Sequence, residues 1–420
     1  SSDFKYALDL IEKTPASVFI TGRAGTGKST LLQLFRNTTR KKNVVLAPTG
    51  VAALNVRGQT IHSFFGFPPR PLAKHEIKKR RYRKLYTALE VLIIDEISMV
   101  RADMLDAIDY FLRINRENEA PFGGVQVVFF GDLFQLPPVV SSDAERALFT
   151  LQYDSPYFFS AMVLQSFQLE MLELRKVYRQ EARYFVRLLD AVRTNRVDRD
   201  DLEDLNERYW PDFSAADFYI TLSARNATVN RINTQALARI PMPTFTFHAT
   251  VTGNFDARLY PTEAALELKL NAQVMFVRND PDKQFVNGTI GKVVKLEKEK
   301  ISVLVEEGGR DRYIDVPRID WEILKYKADK EENGAIATEV AGTFSQYPLK
   351  LAWAITIHKS QGKTFDKIII DLGKGAFEHG QTYVALSRCR SLEGIVLRQP
   401  LRRQDIRTDE RVVRFYEQNF

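Results

Sequence analysis

Short runs of branched and aromatic residues recur along the chain between stretches of helical spacing. Ser17 to Thr21, Asn43 to Ala47, Val91 to Asp95 and Val125 to Phe130 come first, followed by Asp217 to Thr221, Ala352 to Ile357, Lys367 to Asp371 and Gly394 to Leu397. These runs are apolar nearly throughout rather than alternating, the pattern of strands covered on both faces, and their alternation with helices predicts buried parallel sheets. Four precede about residue 170 and four follow it, which predicts two doubly wound α/β domains.

A segment of different texture interrupts the second set. From Phe245 to Tyr347, short strands at Gln273 to Arg278, Ile290 to Leu296, Ile301 to Val305 and Arg312 to Val316 are separated by tight turns such as Asn287-Gly288 and Glu307 to Gly309. That spacing predicts a small β-barrel inserted in the second domain. A shorter interruption, Phe64 to Lys84, holds Gly66, Pro68, Pro69 and Pro71 and then the basic run Lys78-Lys79-Arg80-Arg81. The run reads equally as a solvated helix face or a nucleic-acid contact. The expected organisation is a first α/β domain over 1–63 and 85–172 with a small wedge at 64–84, and a second over 173–244 and 348–420 with its insertion at 245–347.

The 420 residues exceed one ordinary core, which agrees with several domains. Sixty basic against fifty-three acidic residues, a net charge of +7, weakly favour a polyanionic partner. Cys389 is the only cysteine, so an intramolecular disulfide and a thiolate metal cluster are both excluded, and a reducing compartment, the cytoplasm, is expected. No run approaches the roughly 18 apolar residues of a membrane span, and Ser1 to Leu10 carries acids where a secretory signal carries basic residues. A protein acting in solution, off the membrane, is the expectation.

Chemistry concentrates at the ends of the apolar runs. Gly22-Arg23-Ala24-Gly25-Thr26-Gly27-Lys28-Ser29 follows one run and opens a helical stretch at Thr30, the context that a phosphate-binding loop needs. Glycines let backbone amides face phosphate oxygens and the helix N-terminus adds a favourable dipole. Lys28 reaches the β and γ phosphates and Ser29 suits Mg2+, so Gly22, Ala24, Gly25, Thr26, Gly27, Lys28, Ser29 and Thr30 are the expected contacts to a nucleoside triphosphate. Val91 to Asp95 ends in Asp95-Glu96, where Asp95 would hold the metal and Glu96 would act on water as general base. Acids at a strand end also cap helices; a phosphate loop about seventy residues upstream selects the catalytic reading. In Gly131 to Pro138, Gln135 is placed either to sense the γ phosphate or to orient the attacking water, the plain alternative being a polar turn closed by prolines. Arg179 and Arg388 fall in the second domain, and a guanidinium supplied across a cleft is worth on the order of a thousandfold in turnover. Either one taken singly is more often a surface ion pair than such a finger.

Taken in order, the phosphate loop, Ala47-Pro48-Thr49-Gly50-Val51-Ala52-Ala53, Gly58-Gln59-Thr60-Ile61-His62-Ser63-Phe64, Asp95-Glu96, Gly131 to Pro138, Tyr178-Arg179-Gln180, Ile357-His358-Lys359-Ser360-Gln361-Gly362 and Tyr383-Val384-Ala385-Leu386-Ser387-Arg388 resemble superfamily-one helicases of 5′-to-3′ polarity. The resemblance is to the Pif family above all, with RecD a more distant cousin; Glu96 to Arg116 looks like the segment that separates the two. It runs from about residue 4 to the C-terminus. It implies an α/β fold of two RecA-like P-loop domains in tandem, with a small wedge insertion in the first and an SH3-like β-barrel insertion in the second. It also implies an ATP- and Mg2+-dependent DNA helicase, monomeric in isolation, that moves along single-stranded DNA and unwinds tailed duplexes, with G-quadruplexes and RNA-DNA hybrids among the family's substrates. A bacterial, cytoplasmic member is expected; a eukaryotic one would be nuclear or mitochondrial.

Carried over residue by residue, the resemblance assigns the strand to Pro48, Thr49, Gly50, Thr60, His62 and Phe64 in the first domain and to Thr356, His358 and Lys359 in the second. Hydroxyls and amides grip phosphates without reading sequence, while His and Phe offer stacking faces. Phe64, Phe65 and Phe67 read also as core. Asn287-Gly288 is either a plain hairpin turn or, as the resemblance implies, a loop on the DNA side, and Gly362 is expected near the nucleotide. One departure stands out: the group usually carries a glutamine ahead of the phosphate loop to read adenine, and Asp3 to Thr21 contains none. The alternatives are a RecD-like ATPase motor subunit of a recombination or nuclease complex and a non-catalytic binder on a decayed ATPase. Retention of Lys28, Asp95, Glu96, Gln135 and both arginines argues against the second.

Overall fold

The computed structural model describes residues 2–176, 183–332, 334–376 and 378–420. Six parallel strands form the first sheet, in the order Gln59–Thr60, Asn43–Ala47, Val91–Ile94, Gln126–Phe130, Ser17–Gly22, Leu169–Leu174. The strands anticipated from apolar runs are buried along nearly their whole length, as residues covered by helices on both faces must be. Two strands are additional to those runs. Leu169–Leu174 pairs with Ser17–Gly22 over all six residues, but it alternates apolar residues with Glu170 and Glu173 and lies at the sheet edge, so it lacks an apolar run. Gln59–Thr60 is only two residues long.

The second sheet is also parallel, with four strands ordered Ala354–Thr356, Ile220–Ser223, Ile368–Asp371, Ile395–Leu397. The C-terminal helix Glu410–Asn419, which the sequence reading keeps with the second domain, returns to the first. Phe415 stacks on Phe159 with centroids 4.4 Å apart, and Tyr416 meets Phe134 edge-on at 5.3 Å.

The insertion is antiparallel throughout. A five-stranded sheet runs Arg310–Asp315, Lys300–Glu307, Ile290–Glu297, Gln273–Phe276, Leu349–Leu351, and it has its own apolar core around Phe276, Val293 and Val303. Beside it the long strands Ile319–Ala328 and Ile336–Gln346 form a hairpin that the sequence pattern does not reveal, because charged residues interrupt the first and small or polar ones the second. This hairpin reaches the first domain. The strand Gln59–Thr60 pairs only with Leu46 and Ala47, and beyond it Val45 N–H donates to the Tyr326 hydroxyl at 3.0 Å. Tyr326 N–H in turn donates to Gln59 Oε1 at 2.8 Å, and its ring meets Phe64 edge-on. The insertion thereby covers a sheet edge that would otherwise be open. Tyr326→Phe keeps the ring contact but leaves the Val45 amide without its acceptor. A loss of about 1–2 kcal/mol is expected, to be read as a lower urea midpoint.

Candidate active site and nucleic-acid interface

The phosphate loop turns sharply between the strand Ser17–Gly22 and the helix Lys28–Thr38. Gly25 and Gly27 have φ of 81° and 92°, values that disfavour any side chain. A Cβ on Gly22 would lie 2.6 Å from Thr26 Oγ1 and 2.7 Å from Leu174 O, so the loop can pack against the edge strand only with glycine there. Thr26 is buried and its hydroxyl donates to Arg23 O at 2.6 Å, while Ala24, Ser29 and Thr30 are exposed. Lys28 Nζ folds back to donate to the Gly22 and Arg23 carbonyls. Burial lowers the Lys28 pKa, opposed by Asp132, Glu96 and Asp95, so three carboxylates converge on this ammonium.

Asp95 and Glu96 follow the buried strand Val91–Ile94. Glu96 has φ 53°, in the left-handed region, which costs energy for a non-glycine residue. Burial and the neighbouring Glu96 push the Asp95 pKa up; burial raises that of Glu96, which Lys28 opposes and Asp132 adds to. Two carboxyls with raised proton affinity fit a site completed by cations. Ser29 and Asp95 carry a hydroxyl and a carboxylate, hard oxygen donors of the kind that Mg2+ takes.

The two domains meet over this loop. Arg23, within it, pairs with Asp190 of the second-domain helix Arg183–Arg193 at 3.3 Å. Tyr383 Oη donates to Asp132 Oδ2 at 3.2 Å across the seam. A Cβ on Gly380 would lie 2.9 Å from Phe134 O and 3.2 Å from Gln135 O, so the helix Gln381–Ser387 comes this close only behind a glycine. Arg388, the C-cap of that helix, is buried, and its guanidinium donates to Val384 O, Lys363 O and Ser387 Oγ at 3.1, 3.3 and 3.0 Å. It lies near enough to Glu96 to stabilise that carboxylate. Gln135 Nε2 donates to Asp132 Oδ2 at 3.2 Å. Lys28, Asp95, Glu96, Gln135 and Arg388 thus share one seam; Arg179 lies outside the described residues. Gly362 is exposed at a turn with φ 78°, and beside it Lys363 is pushed down to about 8 by burial and by the cations Lys350 and Arg388.

The residues assigned to DNA divide into three groups. Thr49, Thr60 and Thr356 are N-caps of the short helices Gly50–Val56, Ile61–Phe65 and Ile357–Ser360, each side-chain oxygen accepting a backbone N–H. Each hydroxyl keeps a proton of its own to donate. Two of these caps share a local sequence, Thr60-Ile61-His62 and Thr356-Ile357-His358, so both domains carry the same strand-end device, a signal present in the sequence and passed over there. His358 is exposed and bonded to Glu378 at 3.0 Å, and Lys359 is exposed. His62 is half-buried, and burial together with Arg101 lowers its pKa, which keeps the ring neutral. Other members are covered in this arrangement. Phe64 is 3% exposed, enclosed by Phe65, Tyr86 and Tyr326, and offers no open face for stacking. Leu259 of the insertion sits where a Cβ on Gly50 would go, beside half-buried Pro48. A Cβ on Gly288 would lie 2.9 Å from Thr364 O, which places the Asn287-Gly288 turn on the segment after Gly362.

Two parallel-sheet domains closing over a phosphate loop, with acids from one and an arginine from the other, define a tandem RecA-like P-loop NTPase. The PIF1-like helicase family model matches residues 3–202. The ATP-dependent DNA helicase Pif1 of Bdellovibrio bacteriovorus is 34% identical, over 98% of this chain and 90% of its own length. The ATP-dependent DNA helicase PIF1 of Emericella nidulans is 33% identical over 98% of this chain, which spans 62% of that longer protein. The crystal structure of Bacteroides sp Pif1 in complex with ADP-AlF4 superposes with a TM-score of 0.93 at 38% identity, covering 100% of this chain and 96% of that one. The chain belongs to the PIF1-like helicase family, a match that favours the Pif reading over the RecD one.

Proposed function

We propose that the chain is an ATP-dependent DNA helicase that moves 5′-to-3′ along single-stranded DNA and unwinds duplexes bearing a single-stranded tail. One observation carries the reading: the phosphate loop and Asp95-Glu96 lie in a seam that the second domain closes through Arg23–Asp190 and Tyr383–Asp132, with Arg388 on the closing helix. The names of the relatives, ATP-dependent DNA helicases, support it.

In this reading the loop amides and Lys28 hold the phosphates. Ser29 and Asp95 would hold Mg2+, which when bound offsets charge on the β and γ oxygens. Glu96 takes the proton of the attacking water. Gln135 orients that water, because its amide N–H is engaged by Asp132 while Oε1, buried, has no hydrogen-bond partner among the described residues. Arg388 approaches the γ phosphate as the seam closes, with Arg179 as its proposed companion. Closing and opening would be driven by differential contacts in the two nucleotide states. A strand gripped at Thr60 and His62 on one domain and Thr356, His358 and Lys359 on the other is then displaced each cycle. Because Leu259 and Tyr326 cover Gly50 and Phe64, passage of the strand over the first domain requires the insertion to shift. The wedge at 64–84 is the proposed strand separator. G-quadruplex substrates and a monomeric state in isolation stay with this proposal as family expectations.

Comparing unwinding of duplexes with a 5′ or a 3′ tail tests polarity; activity on the 3′-tailed substrate alone would refute it. Affinity for single-stranded DNA should fall with salt, and Lys359→Ala should reduce the slope of log K against log salt by about 0.7, the value for one lost phosphate contact. An unchanged slope removes Lys359 from the path.

A further inference from the structure

Asp132 lies where the two domains touch, and its two oxygens have different partners. Oδ1 accepts from Phe134 N–H at 3.0 Å. Oδ2 accepts from Gln135 Nε2 and from Tyr383 Oη, both at 3.2 Å. Phe134 and Gln135 belong to the same loop as Asp132, so of these three bonds only that from Tyr383 crosses the seam. Asp132 and Tyr383 are each 3% exposed, and the Tyr383 hydroxyl is held protonated, as a donor, by burial and by Asp132.

The Gln135 amide has two ends of opposite hydrogen-bonding character, and a carboxylate accepts only from the NH2 end. Its Oε1 is therefore turned away from Asp132, an acceptor suited to the O–H of an attacking water. In the flipped orientation the amide oxygen would face the carboxylate and a donor would face the water. Whichever group fixes Asp132 thus fixes where the Gln135 oxygen is presented to the water. Arg193, buried on the second-domain helix, adds a cation to the same place: its Nε is 3.8 Å from Asp132 Oδ1 and its guanidinium lies over the Phe134 ring at 4.4 Å.

We propose that Tyr383 is a positioning residue for hydrolysis, its hydroxyl donating to Asp132 across the seam and so holding the Gln135 amide with its oxygen toward the attacking water only while the domains are closed. The inference rests on the reading of Gln135 as the water-orienting residue. Tyr383 and Arg388 ride on one helix, five residues apart. Withdrawal of the second domain therefore removes the water's orientation together with the cation at the γ phosphate, and the open state does not hydrolyse ATP idly.

The test is steady-state ATP hydrolysis at saturating single-stranded DNA for Gln135→Ala, Tyr383→Phe and the double variant. Tyr383→Phe keeps the ring and removes the donor. It should lower kcat about tenfold, the loss of one hydrogen bond to a charged group, with KM for ATP within about twofold of the parent. In the Gln135→Ala background the same substitution should change kcat less than about twofold, since the two act in series. Equal factors in both backgrounds, or an unchanged kcat, overturn the inference. Full turnover in Gln135→Ala would remove the reading it rests on; loss there with none in Tyr383→Phe would overturn the Tyr383 role alone. Should Tyr383→Phe melt below the assay temperature, Asp132→Ala breaks the link from the other side. It removes the oxygen that accepts from both Tyr383 and Gln135, so the same tenfold loss is expected, again absent in the Gln135→Ala background.

Discussion

Replacing Lys28 with alanine is expected to abolish DNA-stimulated ATP hydrolysis, a loss of at least about a thousandfold, while affinity for single-stranded DNA stays within about threefold. The geometry explains the size of the effect. Lys28 is the cation on which Asp132, Glu96 and Asp95 converge, and it is tethered by the Gly22 and Arg23 carbonyls at the mouth of the helix Lys28–Thr38. With a triphosphate bound, the ammonium exchanges those carbonyls for phosphate oxygens. Without it, three carboxylates face the phosphates unopposed, and repulsion replaces attraction where negative charge must accumulate. The residues proposed to hold DNA lie at the ends of other strands, near Thr60 and Thr356, so binding of the strand is unaffected. Phosphate release and filter binding measure the two quantities separately; undiminished turnover in Lys28→Ala would refute the proposed site.

Arg388→Ala is expected to lower kcat about a thousandfold while changing the affinity for a fluorescent ATP analogue less than about threefold. In this structure the guanidinium rests on Val384 O, Lys363 O and Ser387 Oγ, with Glu96 within its electrostatic reach. A planar, permanently charged group with several donors can keep part of that support while turning toward an equatorial oxygen of the γ phosphate, which lysine cannot do. Arg388→Lys should therefore remain at least about a hundredfold impaired. Because Arg388 is 2% exposed, the truncation also removes packing, and a melting curve distinguishes a folded, inactive protein from an unfolded one. Equal losses in kcat and in affinity would instead assign the arginine to ground-state binding.

Much of this machinery was legible without coordinates because it is encoded locally. A phosphate loop needs glycines at fixed offsets between a strand and a helix, and Gly25 and Gly27 take the positive φ that this requires. Buried parallel strands need unbroken apolar runs, and Val91–Ile94 and Gln126–Phe130 are buried at every residue. Asp95-Glu96 and Gln135 were legible for the same reason, since a strand end delivers whatever follows it to one rim of the sheet. Phe64 shows where local reasoning stops. Its motif reads both as a stacking face and as core, and beside Phe65, Tyr86 and a hairpin about 260 residues away it is interior.

The chain by itself determined the two parallel sheets, the inserted antiparallel segment and the chemistry at the rim of the first sheet, because helix and strand periodicity and loop glycines act over a few residues. The tertiary structure alone decided which groups meet across the seam. Tyr383 on Asp132, Arg23 on Asp190, Gly380 behind Gln135 and Tyr326 on the edge at Val45 all join residues far apart in sequence. No spacing rule encodes such contacts. They arise when separately folded surfaces of complementary shape and charge are pressed together, and where a pair is buried, as Tyr383 and Asp132 are, water no longer weakens its bond.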